Sequence, residues 1–320
     1  MSVGTAMALV LATPSLGHAQ QPAHGSCDLQ NRYTILVHGG TVARSEDVTD
    51  AQMTLIRSVV TEARASLASG GTALDAVASA IVRLEDSGLL DAGKGSYQNT
   101  AGFVETDASL MEGHTGRAGA VAGMQRLKNP ILGARLVMEK TPHVFFVGPA
   151  GEDTLIGLGA APVADPATYF IPYRAVRSTA PGPGTVGAVA LDRCGHLAAG
   201  TSTGGTTGKL PGRVGDSPII GASTFADDHY ALSATGVGEY FIRRSVTRDI
   251  AMRAEYQGLS LKAAADYVIH ELIGAVDKVP GAIISIDRQG EVVLSAANVF
   301  GERYGYASDS VAPTVGVELP

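Results

Sequence analysis

The chain has 320 residues, 45% hydrophobic and 17% charged, which suffices for one large domain or two modest ones and is too apolar for a disordered chain. With 24 basic and 31 acidic residues its net charge is -7, so it offers no basic field to nucleic acid or to an anionic membrane surface. Two cysteines cannot build a disulfide framework or a cysteine-rich zinc site, and 40 glycines, one residue in eight against about 7% on average, point to many tight turns.

Residues 1–31 contain no Lys or Arg, and the apolar run Ala6–Ala12 leads to small residues at Gly17 and Ala19. This pattern suits a secretory signal peptide over residues 1–19, but the basic segment that should precede the apolar run is missing, so a plain terminal segment is the alternative. Export predicts a periplasmic or secreted protein in which Cys27 and Cys194 can pair; two independent thiols are equally compatible with the sequence, and without export the location is cytoplasmic. Beyond this segment no apolar stretch reaches the ~20 residues of a spanning helix.

Tyr33–Val37 is a β-rich run stopped by His38-Gly39-Gly40, a buried strand feeding a glycine turn. A helix over about 50–69 follows, then a second from the cap Thr72 to Ser87-Gly88 with Leu74, Val77, Ala78, Ile81 and Val82 on one face. Strands are expected at Phe103–Met111 and Ala118–Val121, a helix from Asn129-Pro130 to Lys140, and a strand at His143–Val147. The Pro- and Gly-rich stretch Tyr173–Gly184 reads as a linker. Thr185–Asp192 and His196–Ser202 form a hairpin, helices are expected near 238–256 and 260–274, and a last hairpin joins Ala282–Asp287 to Glu291–Ser295. Strands and helices in blocks favour layered sheets and helices over a parallel βαβ fold.

Gly88-x4-Gly93-Lys94 imitates a phosphate loop, but Gly95 stands where a magnesium-binding hydroxyl is needed and a helix precedes it. No pair of His residues has ligand spacing, so no catalytic metal is predicted. Gly200-Thr201-Ser202-Thr203-Gly204 is a literal G-x-S-x-G which, with His38-Gly39-Gly40 and His270, makes a serine esterase using Ser202 the rival from another class. Its elbow requires a helix after the serine, and Gly205-Thr206-Thr207-Gly208-Lys209-Leu210-Pro211-Gly212 cannot start one.

Gly184-Thr185, Thr201-Ser202-Thr203-Gly204-Gly205 and Gly212-Arg213-Val214-Gly215-Asp216-Ser217-Pro218 bring hydroxyls, a guanidinium and a carboxylate close together in sequence. With Val37–Gly40, Asp91–Gly95, Glu105–Gly113, Ala118–Val121 and Asn129–Pro142, they resemble the N-terminal threonine hydrolases of the isoaspartyl peptidase / plant-type asparaginase family, with glycosylasparaginase as a relative. The resemblance spans about 33–310. It implies an α+β fold of four αββα layers and a precursor cut between Gly184 and Thr185, so that residues 20–184 and 185–320 become two chains of one domain. Thr185 would then be both nucleophile and, through its freed amine of pKa ~8, its own base.

By position in the family's motifs, Thr203 would tune the nucleophile, Arg213 and Asp216 would take the substrate's α-carboxylate and α-ammonium, Thr235 and Gly236 would form the oxyanion site, and Gly238 would leave room for the head group. The resemblance also implies a structural sodium ion held by the carbonyls of Leu84, Glu85, Ser87, Leu90, Ala92 and Lys94, with no cofactor for catalysis; an ordinary loop is the alternative. The implied substrates are β-aspartyl dipeptides and L-asparagine, with glycosylated asparagine as the alternative, and the implied assembly is a homodimer of cleaved units. A non-catalytic binding module on the same scaffold is the third reading. The chain departs from the family in having Asp91 where Asn is usual, Gly208 where Asn is common, and a short linker before Thr185.

Overall fold

The computed structural model describes residues 31–171 and 184–318. The two halves of the sequence share their strands. One antiparallel sheet, apart from a single parallel pair, has eight strands: β1 (Thr34–Val42), β2 (Thr106–Glu112), β3 (Ala118–Met124), β4 (Phe145–Val147), β5 (Val186–Leu191), β6 (Leu197–Thr203), β11 (Gly301–Ser308) and β12 (Thr314–Glu318). They lie in the order β12-β11-β1-β5-β6-β2-β3-β4, with β3 and β4 parallel. The second, antiparallel sheet is β10-β9-β8-β7, from β7 (Thr224–Ala226), β8 (Tyr230–Gly236), β9 (Gly281–Asp287) and β10 (Val292–Ala297).

Helices α1 (Asp50–Ala68), α2 (Ala73–Asp86) and α3 (Pro130–Lys140) fall where the apolar periodicity placed them. A capping box at Thr49 and Gln52 starts α1, and the Thr72 hydroxyl accepts the Asp75 N–H to start α2. Asn129 offers no side-chain cap, and Pro130 in the first turn opens α3 instead. The stretch 238–256, expected as one helix, divides into α6 (Gly238–Arg244) and α7 (Val246–Gln257) at Ser245, whose φ of 50° breaks the helical path. The next helix begins as α8 (Leu261–Asp266) and continues in π geometry over Tyr267–Asp277. Short helices α4 (Gly148–Gly157) and α5 (Pro166–Tyr169), and strands β7, β8, β11 and β12, are additions to the sequence reading.

Alternation along the strands sorts their side chains into two cores. Val186, Ala188 and Ala190 of β5, with Ile35 and Val37 of β1, pack against α1 and α2. Val189 and Leu191, with Leu36, Leu197 and Ala199, face the other way onto Ala226, Ala231, Ile284 and Ile286 of the smaller sheet. A third cluster joins the smaller sheet to Ile250, Leu261, Ala264 and Ile269 of the later helices. At Gly200 an added Cβ would come 2.8 Å from Ile81 and 2.9 Å from Val77, so the missing side chain is what lets α2 seat on β6.

The segment proposed for export and most of the linker, residues 1–30 and 172–183, lie outside the described residues, as does Cys27. Cys194 is disulfide-bonded. Among the described residues no helix is long and apolar enough to cross a membrane.

Candidate functional site

Thr185 immediately precedes β5, and the antiparallel register pairs Val186 with Ser202, which sets Thr185 beside Thr203 at the end of β6. By the same alternation Thr185 and Thr203 face the smaller sheet, and the Thr185 hydroxyl donates to Thr203 Oγ1 at 3.1 Å. Thr203 Oγ1 also accepts the Gly205 N–H at 2.9 Å, so it is fixed from two sides. Thr185 is only 5% exposed.

The two sheets end together here. A cavity of about 10 Å³, room for about one water, is lined by Thr185, Thr203, Gly205, Thr206, Arg213, Gly215, Asp216, Ser217 and Gly236. Thr235, at the end of β8, has a buried hydroxyl with no partner among the described residues. Asp216 Oδ2 is in the same state, and burial pushes the Asp216 carboxyl up to about 6. A Cβ at Gly238 would lie 2.7 Å from Asp216 Oδ1 and 3.0 Å from Arg213 Nη2, so that glycine keeps open the space between the carboxylate and the guanidinium. Of the seven residues singled out, Thr185, Thr203, Arg213, Asp216 and Gly236 line this one cavity, Gly238 at the start of α6 borders Arg213 and Asp216, and Thr235 adjoins Gly236 in β8.

The peptide before Thr185 is clasped on both sides. Gly40 sits in a bulge of β1 at φ +82°, where an added Cβ would come 2.8 Å from the Thr185 carbonyl oxygen. Gly184 lies against Asp91, and a Cβ there would overlap the Asp91 Cβ and approach Oδ2 to 2.9 Å. Asp91 Oδ1 accepts the Tyr97 N–H at 2.9 Å, while Oδ2 has no partner among the described residues. Burial raises the Asp91 carboxyl to about 7, opposed by the Tyr97 N–H and by the charges of Lys209 and Arg213. Gly208, the second departure, sits at φ +73° in an open turn where an added Cβ would meet nothing within 4 Å.

The serine-esterase constellation does not assemble. Ser202 points to the opposite face of β6, where its hydroxyl donates to Glu85 Oε1 at 2.7 Å, while His270 is 40% exposed and bridges to Asp266. Odd and even positions of one strand cannot share a face, so Ser202 is separated from Thr185 and Thr203 by the sheet itself.

The loop after α2 curls through Gly93 and Gly95. A Cβ at Gly93 would come 2.8 Å from the Glu85 carbonyl oxygen, and one at Gly95 would overlap that of Leu90, so a backbone cradle exists only because side chains are absent there. The carbonyls of Leu90, Ala92 and Lys94 each accept one N–H, from Ala92, Gly95 and Ile171, which leaves each a second lone pair. Such uncharged oxygens suit a hard monovalent cation. Elsewhere among the described residues, the group able to offer three ligands to a metal is Asp192, Cys194 and His196. There the sulfur is in a disulfide and both Asp192 oxygens already accept N–H groups, from Ala73, Cys194 and His196.

Three features escaped the sequence reading. His38, read as a loop signal, is a fully buried ring on the inter-sheet face of β1. Its Nδ1 accepts the Gly40 N–H at 3.3 Å, so the neutral ring donates through Nε2 to Ser233 Oγ at 3.1 Å. The Ser233 and Thr201 hydroxyls share a hydrogen bond at 2.7 Å, and the Thr224 hydroxyl donates to Thr201 Oγ1 at 2.6 Å. Burial and the Arg303 charge hold the His38 pKa down at about 3, and the neighbouring Glu302 carboxyl, buried without a hydrogen-bond partner among the described residues, is raised well above the usual range. Lys209 is buried with its Nζ on the Glu105 carbonyl at 2.6 Å. Glu239 grips Arg213 through two bonds, from Nε at 2.9 Å and Nη2 at 3.0 Å. Only the alternation that puts His38 with Leu36 on the inter-sheet side was visible in the sequence.

The asparaginase family model matches the chain in two overlapping stretches, residues 31–177 and 172–316. The isoaspartyl peptidase of Salmonella typhimurium is 41% identical over 312 residues, covering 90% of this chain and 99% of the relative. That of Escherichia coli is 40% identical over 309 residues, covering 88% and 95%. The isoaspartyl peptidase/L-asparaginase of Rattus norvegicus is 37% identical over 303 residues, covering 87% of each chain.

Proposed function

The chain belongs to the asparaginase family, and on that footing we propose that it is a self-cleaving amidohydrolase that releases aspartate from β-aspartyl dipeptides and L-asparagine. The observation that carries this reading is the Thr185–Thr203 hydroxyl pair beside a cavity that Arg213 and Asp216 also line. In the precursor, Thr185 Oγ1 adds to the Gly184 carbonyl carbon, and the hydroxyl proton passes to the Thr185 nitrogen as the C–N bond breaks. Water then cleaves the resulting ester, leaving a Gly184 carboxylate and a free Thr185 amine. The cavity beside them, about 10 Å³, has room for about one water.

In turnover the Thr185 amine takes the proton of its own Oγ1, which attacks the β-carbonyl of the substrate. The Thr235 hydroxyl and the Gly236 N–H receive the developing negative charge, each worth about 3 kcal/mol of barrier. The leaving amine or ammonia departs with a proton, and water hydrolyses the β-aspartyl ester. Arg213 holds the α-carboxylate and Asp216 the α-ammonium, which restricts the site to substrates with a free amino-acid head.

The reading includes one catalytic domain built from residues 20–184 and 185–320, with α1–α3, the eight-stranded sheet, the four-stranded sheet and α7–α8 as four αββα layers. The separate apolar clusters on either side of each sheet support that layering. A sodium ion would be held by carbonyls of Leu84, Glu85, Ser87, Leu90, Ala92 and Lys94, where it would fix the loop's shape. The expected assembly is a homodimer of cleaved units.

Intact mass after expression tests the core of the proposal. Two fragments in the wild type, one ending at Gly184 and one beginning at Thr185, and an uncut Thr185→Ala, are expected. A wild type that stays whole after long incubation refutes it. Turnover of β-aspartyl-leucine against a glycosylated asparagine separates the peptidase reading from the glycosylasparaginase one.

A further inference from the structure

A guanidinium has more than one edge able to bind a carboxylate, and in Arg213 one is already taken. Nε and Nη2 donate to the two oxygens of Glu239, at 2.9 and 3.0 Å, the planar side-on fork of a carboxylate pair. Glu239 sits in the first turn of α6 with its side chain 53% exposed, whereas that of Arg213 is 19% exposed. The remaining end of the guanidinium, Nη1 with Nη2, rests over two glycines. A Cβ at Gly215 would come 2.7 Å from Nη1, and one at Gly238 would come 3.0 Å from Nη2 while also approaching Asp216 Oδ1. The space so preserved is bounded by a cationic edge on one side and a carboxylate on the other, and Arg213, Gly215 and Asp216 share its wall with Thr185.

We propose that Glu239 is a positioning residue for the substrate head group: by occupying the Nε/Nη2 edge of Arg213 it leaves the Nη1/Nη2 edge turned toward the cavity, ready for an α-carboxylate. The proposal rests on the amidohydrolase reading above and assigns a further residue to its specificity. Arg213 is a long side chain on a turn, anchored among glycines, and its orientation depends on what holds it. Glu239 supplies that hold from a different element, in line with the direct continuity between β8, which carries Thr235 and Gly236, and the start of α6. Beyond Glu239, the charges of Asp216, Asp107, Asp91 and Lys209 also act on Arg213, and none of these groups makes the side-on fork.

Because the head-group contact is the same in the ground state and the transition state, losing its alignment raises KM and spares kcat. Glu239→Gln puts an amide where one carboxylate oxygen received an N–H, and Glu239→Ala removes the hold. Releasing one rotamer-rich side chain and its orientation is worth about fivefold to tenfold in affinity. Expected for both variants, assayed after complete self-cleavage on β-aspartyl-leucine and L-asparagine, is a KM raised by about that factor with kcat changed less than twofold. On the same compounds with the α-carboxylate converted to an amide, the variants should match the wild type. Affinity for L-aspartate, titrated calorimetrically, should fall in parallel with KM. A drop in kcat at constant KM, an equal penalty on the α-amide compounds, or variants indistinguishable from wild type on all substrates would overturn the inference. Should Glu239→Ala fail to fold, Glu239→Gln carries the same readings. A wild type that neither cuts itself nor hydrolyses a β-aspartyl amide refutes the underlying function instead, so the two failures are told apart.

Discussion

Replacing Gly184 by Ala tests the geometry of the scissile bond with one carbon atom. The new Cβ would overlap the Asp91 Cβ, lie 2.9 Å from its Oδ2 and 3.1 Å from its Cγ, whereas non-bonded carbons rest at about 3.5–4.0 Å. Asp91 cannot retreat easily, since it is buried, its Oδ1 holds the Tyr97 N–H, and its own carbonyl accepts the Gly204 N–H at 3.1 Å. Gly184 must therefore shift by about 1 Å, judged against that contact distance. A displacement of that size between a nucleophile and its carbonyl costs about 10²-fold in rate. The assay is the appearance, on a denaturing gel, of the fragment that begins at Thr185, followed from a freshly purified precursor. Gly184→Ala should slow it about a hundredfold, and pairing it with Asp91→Gly, which removes the opposing Cβ, should restore part of the loss. Cleavage of the single variant at the wild-type rate would show that Gly184 is not held against Asp91 during reaction.

Other expectations concern neighbouring groups. Thr203→Val removes the acceptor of the Thr185 hydroxyl and the partner of the Gly205 N–H while keeping the shape; kcat should fall by about 10–100-fold, corresponding to a hydrogen bond that strengthens in the transition state, and an unchanged kcat would remove Thr203 from the site. Asp216 must be ionised to hold an α-ammonium and its folded pKa is about 6, while the Thr185 amine must be neutral and titrates near ~8. The logarithm of kcat/KM should therefore fall with slope one below pH ~8 and with slope two below about 6; a profile with no second break contradicts the role of Asp216. Glu302 has a raised folded pKa, so its burial weakens the fold as pH rises above the unfolded carboxyl value and costs nothing at acid pH. Glu302→Gln should accordingly raise the urea midpoint at pH 7 relative to wild type, with the advantage shrinking toward pH 4; equal midpoints at both values would show that the carboxyl carries no such cost.

Much of the architecture was legible because it is local. The caps at Thr49 and Thr72, the apolar face of α2 and the hairpin joining β5 to β6 are decided by residues within a few positions of one another. The order of the motifs around Thr185, Thr203, Arg213 and Thr235 likewise named the catalytic candidates before any geometry was known. What sequence could not supply is which strand lies beside which and which face each side chain takes once the sheets meet. Ser202 and Thr203 are adjacent in sequence, yet alternation sends one to Glu85 under the helices and the other to Thr185 between the sheets, and this separates a G-x-S-x-G from a working elbow. Strands β11 and β12 follow β10 by a few residues but pair into the other sheet, which is what brings Glu302 beside His38. The same holds for Asp91 against Gly184 and Glu239 on Arg213, where residues 93 and 26 positions apart meet. Local propensity fixed the elements and the chemistry each could bring, and long-range packing chose which of those groups would share a buried space.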